Sequence, residues 1–204
     1  MVRHQHAGKS SKQFLDARQV LKQLDLQQNQ VVLDLGCGEG HFAMAAAEWV
    51  GKSGRVFALD IHAASLELLQ IALQQSHTHN VCPLLADATQ RIPLADNSVD
   101  WVFMVNVLHG FFHNGELDAV MAEIRRIHKA DGKLMIIEFD RVPETPGPPL
   151  DVRIPSTQMN ATIYPYGYFL YKSWPLTNFL YLGYYKRQPQ PHPTILSNES
   201  YLGN

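Results

Sequence analysis

Short apolar runs alternate along the chain with stretches of helical periodicity. Five apolar runs predict buried strands, at residues 31–35, 55–60, 81–86, 99–107 and 133–139. Between them, apolar residues recur three and four positions apart, as they do on one face of a helix. Strands that alternate with helices require right-handed crossovers, so the pattern predicts an α/β fold with a doubly wound, Rossmann-like parallel sheet.

Both ends of the chain depart from this alternation. The spacing of apolar residues after Ser11 predicts one amphipathic helix that continues to the polar run at residues 27–30. Near the other end, the pattern predicts a short helix at 156–163 and two strands, at 168–174 and 178–187. We predict a single domain over residues 1–187, with a flexible start at 1–10 and a flexible tail at 188–204.

The stretch VVLDLGCGEG at residues 31–40 has the form of a strand, a tight turn and the start of a helix. Three glycines spaced two apart, from Gly36 to Gly40, let the backbone turn sharply and approach a ligand closely. A dinucleotide site of the G-x-G-x-x-G type would need glycine at position 41, where this chain has His41. Asp34 would repel a pyrophosphate but would suit a ligand that carries an ammonium group.

This stretch resembles the acidic-x-Gly-x-Gly-x-Gly signature of class I S-adenosylmethionine-dependent methyltransferases. FMVNVLH at residues 103–109 and IIEFD at 136–140 are similar to methyltransferase domain 11, the ubiquinone/menaquinone-biosynthesis-type group. The resemblance covers residues 11–155. It implies a seven-stranded, mostly parallel sheet with a C-terminal antiparallel hairpin, and methyl transfer from S-adenosylmethionine that leaves S-adenosylhomocysteine.

Several positions match the family's cofactor contacts. Asp60 lies twenty positions after Gly40, where doubly wound folds carry an acid that binds ribose hydroxyls; an N-cap of the next helix is the alternative. The resemblance assigns the adenine amine to Asp87, which could instead only begin a turn, and the methionine part to Asn106. The predicted cofactor set is Asp34, Gly36, Cys37, Gly38, Gly40, Asp60, Ile61, Asp87, Ala88 and Asn106.

The reaction itself suggests few catalytic groups. Methyl transfer from a sulfonium is an in-line displacement, so the protein mainly aligns the two reactants. An acceptor that loses a proton would benefit from a general base, for which His109, Glu138 and His113 are candidates. The alternative is that His109 is a structural residue at the end of a strand. Residues 108–113 are the first candidates for contact with the acceptor.

Charge and composition restrict the kinds of partner that the protein could bind. A net charge of −2 without a basic cluster argues against nucleic acid and favours a small-molecule methyl acceptor. No apolar run is long enough for a membrane span and no signal peptide is evident, which predicts a cytoplasmic protein. The two cysteines, Cys37 and Cys82, indicate neither a disulfide nor a metal site.

The tyrosine cluster and the activity of the chain each allow more than one interpretation. Seven of the eight tyrosines fall between Tyr164 and Tyr185, which fits an aromatic acceptor pocket, ordinary sheet packing or the edge of a homodimer. The chain could also be a cofactor-binding regulatory or interaction module without turnover, or, as a third option, a nicotinamide oxidoreductase.

Overall fold

The computed structural model describes residues 11–188, so the predicted flexible start at 1–10 and the tail from 189 onward lie outside the described residues. The strands are β1 (Val31–Leu35), β2 (Arg55–Asp60), β3 (Val81–Leu85), β4 (Val99–Val105), β5 (His128–Phe139), β6 (Tyr168–Pro175) and β7 (Leu180–Arg187). The α-helices are α1 (Ala17–Leu21), α2 (His41–Val50), α3 (Ala63–Gln75), α4 (Leu108–His113), α5 (Leu117–Ile127) and α6 (Ser156–Ile163). Two 3₁₀ turns span Ser11–Gln13 and Tyr164–Tyr166.

All seven strands form one sheet in the order β3-β2-β1-β4-β5-β7-β6. Strands β1 to β5 pair in parallel, whereas β7 runs antiparallel to β5 and β6 antiparallel to β7. This confirms the predicted fold class, including the closing hairpin. The chain winds outward in one direction from β1 and in the other from β4, so a crevice opens at their carboxyl ends, where doubly wound folds bind ligands.

Helices cover both faces of the sheet, which explains why the central strands are apolar throughout. Val32 and Leu33 are successive residues of β1 and both are fully buried. Val32 packs in a cluster with side chains of α1, α2 and α3, and Leu33 in a second cluster with those of α5 and α6. Alternate residues of a strand point to opposite faces, so the two clusters form the two sides of a three-layer core.

The leading segment is not the continuous helix that the sequence predicts. One 3₁₀ turn at Ser11–Gln13 is followed by the five-residue helix α1. The side chain of Asp16 accepts hydrogen bonds from the backbone N–H groups of Arg18 and Gln19, so the helix begins only at Ala17. Asp16 therefore acts as an N-cap that interrupts the apolar periodicity.

Strand β5 also begins earlier than expected. Val99 pairs with His128 before the register shifts and Trp101 pairs with Lys133. Residues 128–132 therefore lie inside the strand, and its buried amino end at His128 is part of the sheet.

The proline-rich loop at residues 141–155 is built around a buried arginine. Arg153 is 3% exposed, and its guanidinium donates hydrogen bonds to backbone carbonyls of the same loop, including those of Val142 and Pro148. The guanidinium also lies 5.5 Å from the centre of the Phe139 ring. The loop is thus a packed unit held by its own carbonyl groups.

The clustered tyrosines mainly serve packing. Tyr168, Tyr181, Tyr184 and Tyr185 are buried in the core. The hydroxyl of Tyr181 donates to the carbonyl of Ile154 at 2.7 Å. Within residues 11–188, no helix has the length and apolar character needed to cross a bilayer.

Candidate functional site

A cavity of about 230 Å³ opens at the carboxyl ends of β1, β2 and β4. Its lining contains nine of the ten residues predicted to hold the cofactor, together with His109. The exception is Gly40, which lies just beside it as the N-cap of α2. The motifs that the sequence places far apart therefore meet at one edge of the sheet.

Each glycine of the turn makes room for something different. A Cβ atom on Gly36 would lie 2.5 Å from Val107, and one on Gly40 would lie 2.4 Å from Leu69, so these two glycines permit close packing. A Cβ on Gly38 would meet nothing within 4 Å, although its φ of +53° also favours glycine. Gly38 thus leaves space at the cavity itself.

Asp60 supports the turn with both of its carboxylate oxygens. Oδ2 accepts the N–H of Gly38 at 2.8 Å, and Oδ1 accepts the N–H of His62 at 2.9 Å. The N-cap of α3 is His62, which makes no side-chain cap bond, so the alternative role of Asp60 as that N-cap is wrong. Asp60 is buried and lines the cavity, as the cofactor interpretation requires.

Two buried side chains of the lining have oxygens without a hydrogen-bond partner among the described residues. They are Oδ2 of Asp34 and Oδ1 of Asn106. Asn106 also adopts a φ of +56°, in the left-handed region that asparagine tolerates better than most residues other than glycine. Unpaired buried oxygens are costly, so their position beside a cavity indicates a ligand that donates hydrogen bonds.

Burial also changes the protonation of this part of the lining. Burial, followed by the negative charge of Asp60, raises the pKa of Asp34 to about 7, although a backbone hydrogen bond at Ala43 acts in the opposite direction. Burial raises the pKa of the Cys37 thiol well above its ordinary value, so Cys37 is a neutral wall of the cavity. A cationic ligand would favour the ionised form of Asp34.

Asp87 begins a turn and also lines the cavity. Its Oδ1 accepts hydrogen bonds from the backbone N–H and the hydroxyl of Thr89, at 2.8 and 2.7 Å, as in a turn. It nevertheless lines the cavity together with Ala88 and the half-exposed Ile61.

His109 and Glu138 form a buried pair. Nδ1 of His109 lies 2.9 Å from Oε2 of Glu138, and the backbone N–H of His109 donates to Oε1 at 3.0 Å. His109 is 5% exposed and lines the cavity, whereas Glu138 is fully buried behind it and does not. His113, the other candidate base, is exposed and lies outside the lining.

Some lining residues were missed by sequence reasoning. Ser11 reaches the cavity from the leading segment. His41 also lines it, and Nε2 of that ring lies 2.9 Å from the carbonyl oxygen of Leu15, which ties the leading segment to the glycine turn. The position of His41 directly after Gly40 was a usable signal, whereas nothing local marks Ser11. Among residues 11–188, no cluster of His, Cys, Asp and Glu could hold a metal ion.

Residues 26–165 match the sequence profile of a family described as methyltransferase domain. The chain is also 34% identical over 122 residues to the ubiquinone/menaquinone biosynthesis C-methyltransferase UbiE of Cupriavidus metallidurans. That alignment covers 60% of this chain and 48% of the relative, so the chain spans about half the length of the curated relatives it matches.

Solved structures show the same fold. A SAM-dependent methyltransferase from Aquifex aeolicus aligns with a TM-score of 0.79 and 24% identity, covering 88% of this chain and 94% of that chain. The [4+2]-cyclase SpnF aligns with a TM-score of 0.71 and 15% identity, covering 84% of this chain and 79% of that one. Because proteins with different reactions share the fold, the fold does not determine the chemistry.

Proposed function

The chain belongs to the methyltransferase domain family, and on that premise we propose that it transfers a methyl group from S-adenosylmethionine to a small-molecule acceptor. The main support for this proposal is the cavity at the carboxyl ends of the strands. The glycine turn and the unpaired oxygens of Asp34 and Asn106 lie together there. The sequence signature and the fold support the same cofactor.

The lining suits each part of the cofactor. The oxygens of Asp34 and Asn106 would accept hydrogen bonds from its amino-acid end, and Asp34 would also offset the ammonium charge. Asp60 would accept hydrogen bonds from the ribose hydroxyls, and Asp87 from the adenine amine, with the backbone of Ala88 beside it.

The turn would let the cofactor approach the backbone closely. Gly38 leaves the space, while Gly36, Cys37 and Ile61 would form walls around it. Gly40 would act indirectly, by allowing α2 to begin against Leu69. When bound, S-adenosylmethionine supplies a methyl group on a positively charged sulfur, so the protein's task is to hold the two reactants in line.

The acceptor would enter on the side of the cavity formed by α4. His109, Gly110 and Phe111 provide a lining there that is mostly apolar with one titratable group. A cavity of about 230 Å³ has the scale of a small-molecule site rather than of a groove for a polymer. The relatives are named for ubiquinone and menaquinone biosynthesis, which supports a small organic acceptor for this chain. The cytoplasmic location and the homodimer stay predictions.

Calorimetric titration with S-adenosylhomocysteine tests the cofactor assignment. We expect micromolar binding, and no fluorescence enhancement when NADH is added instead. Incubation with methyl-tritiated S-adenosylmethionine and the small-molecule fraction of a cell extract then separates an enzyme from a binding module. Label in a small product supports the proposal, and binding without any transfer favours the regulatory module. Absence of binding by the intact chain would overturn both.

A further inference from the structure

The imidazole ring of His109 lines the cavity and is paired with the buried carboxylate of Glu138. The carboxylate of Glu138 lies behind the imidazole ring, contacts Nδ1 with both oxygens at 3.1 and 2.9 Å, and is fully buried. A buried carboxylate is costly unless it is paired or hydrogen-bonded. This arrangement gives the ring a fixed orientation at the wall of the cavity.

Hydrogen-bond chemistry then fixes the tautomer. A carboxylate can only accept hydrogen bonds, so the Nδ1 that faces it carries the proton. In neutral imidazole the lone pair then lies on Nε2, on the opposite side of the ring. The pair therefore presents a proton acceptor from a residue that lines the cavity.

We propose that His109 is a catalytic base that takes a proton from the methyl acceptor at Nε2, and that Glu138 is the positioning residue that holds the ring in the required tautomer. This inference rests on the proposed function and deepens it. It assigns the acceptor to the class whose attacking atom loses a proton, such as a hydroxyl or an acidic carbon, rather than a thioether or a tertiary amine.

The step balances without a further reactant. The acceptor atom forms its bond to the methyl carbon while the carbon–sulfur electron pair stays on sulfur, and the acceptor's proton moves to Nε2 of His109. The resulting imidazolium is stabilised by the neighbouring side chain of Glu138. Release of the proton to solvent restores the base.

A purely structural role is the competing explanation. Glu138 also accepts the backbone N–H of His109 at 3.0 Å and that of Phe139 at 3.2 Å, so it could serve only to anchor the start of α4. Such an anchor uses only the two backbone N–H groups and does not depend on the imidazole ring, whereas a base at Nε2 does. The hydrogen bond to Glu138 fixes the same tautomer in either role, so the tautomer tests the geometry of the pair and the rate of methyl transfer by His109→Gln distinguishes the two roles.

The test is a long-range proton–nitrogen NMR correlation of the full chain labelled with nitrogen-15 in histidine, with S-adenosylhomocysteine added. His109→Gln identifies the His109 signals by their loss, and His113→Gln is the matched control on the same helix. We expect His109 to carry its proton on Nδ1, and Glu138→Gln to shift it toward a mixture of tautomers, while His113→Gln leaves those signals unchanged. A proton on Nε2 in the unmodified chain, an unaltered tautomer in Glu138→Gln, or methyl transfer by His109→Gln at the rate of the unmodified chain would overturn the inference.

Calorimetry on the same samples separates this inference from the proposed function. We expect His109→Gln and Glu138→Gln to bind S-adenosylhomocysteine within about threefold of the unmodified chain, because neither side chain belongs to the predicted cofactor set. An unexpected tautomer with intact binding contradicts only the proton-accepting pair. Loss of binding by the unmodified chain contradicts the proposed function, whatever the tautomer.

Discussion

Strand β5 carries a buried ionisable side chain near each end, and the two ends differ in what surrounds that side chain. At the amino end, Nδ1 of His128 lies 2.6 Å from the hydroxyl of Tyr168, and Arg187 donates a hydrogen bond to the backbone carbonyl of His128. At the carboxyl end, Glu138 pairs with His109, which lines the cavity. Both histidines are buried, but only His109 borders open space.

The comparison shows that an unpaired buried polar atom is not enough to indicate a site. Nε2 of His128 has no hydrogen-bond partner among the described residues, just as Oδ2 of Asp34 has none. Burial, followed by the nearby charge of Arg187, lowers the pKa of His128 to about 3, so the ring is neutral within the core. Asp34, in contrast, lines a cavity that a donor can enter. The presence of a cavity, and not the missing hydrogen-bond partner, distinguishes the carboxyl end of the strands from the amino end.

The largest expected contrast in the rate of methyl transfer is between His109→Gln and Tyr168→Phe, the second of which changes the surroundings of His128. We expect His109→Gln to slow methyl transfer by roughly 100-fold or more, the usual contribution of a general base. Tyr168→Phe, which alters the surroundings of His128, should leave transfer within about threefold. The measurement is the initial rate of tritium incorporation into small products. Equal rates of methyl transfer for His109→Gln and the unmodified chain would show that the two ends of β5 do not differ in function.

Two glycines with similar backbone conformations allow the effect of filling the cavity to be separated from the effect of backbone strain. Gly38 and Gly115 both have positive φ, and a Cβ on either would meet nothing within 4 Å, but only Gly38 lines the cavity. We expect Gly38→Val and Gly115→Val to lower the melting temperature similarly. Only Gly38→Val should weaken S-adenosylhomocysteine binding, by roughly 100-fold, about 2.7 kcal/mol. Calorimetric binding by Gly38→Val at unmodified strength would show that the turn does not hold the ligand.

A change beside His128, at the amino end of β5, should alter the stability of the fold but not the binding of the ligand. Tyr168→Phe removes the hydroxyl next to Nδ1 of His128 and leaves that buried ring without this hydrogen bond, at a cost of about 2 kcal/mol in the free energy of unfolding. Urea denaturation measures the loss, and a calorimetric titration of the same variant should give an unchanged affinity for S-adenosylhomocysteine. A weakened affinity would mean that the surroundings of His128 are coupled to the cavity.

The smallest effect is a pH dependence at the carboxyl edge. With a pKa of about 7, Asp34 passes from mostly neutral at pH 6 to mostly ionised at pH 8, so affinity for S-adenosylhomocysteine should rise about tenfold over that range. Asp34→Asn should remove this rise. A pH profile of the dissociation constant that is the same for both proteins would contradict the role of Asp34 in binding.

The same group should affect the stability of the ligand-free chain in the opposite direction. The folded-state pKa of Asp34 lies above the ordinary value of 3.8, so the fold favours the neutral acid. The stabilisation is fully present below about pH 4 and is lost as pH rises through 7. The melting temperature of the unmodified chain relative to Asp34→Asn should therefore fall between pH 5 and pH 8.

The glycine turn could be predicted from sequence because its information is local. Asp34 and the three glycines lie within seven consecutive residues, and Asp60 follows at a spacing that the fold itself fixes. The short α1 was predictable in principle, since Asp16 is a common N-cap residue, but apolar periodicity outweighed it. Local chemistry thus defines half of the site.

The other half depends on contacts between distant parts of the chain. His109 and Glu138 were each predicted as candidate bases, but their pairing joins residues 29 positions apart through the packing of α4 on β5. The contact between His41 and Leu15 spans 26 positions and depends on where the leading segment turns. No periodicity or motif records such pairings, so they become visible only in three dimensions.

The most direct test of the cofactor site is a crystal structure of the full chain with S-adenosylhomocysteine. We expect the ligand in the cavity at the carboxyl edge, with its amino group at Asp34 and Asn106, its ribose at Asp60 and its adenine at Asp87. Ligand bound elsewhere, or a cavity that stays empty at saturating concentration, would contradict the assignment of this edge as the cofactor site.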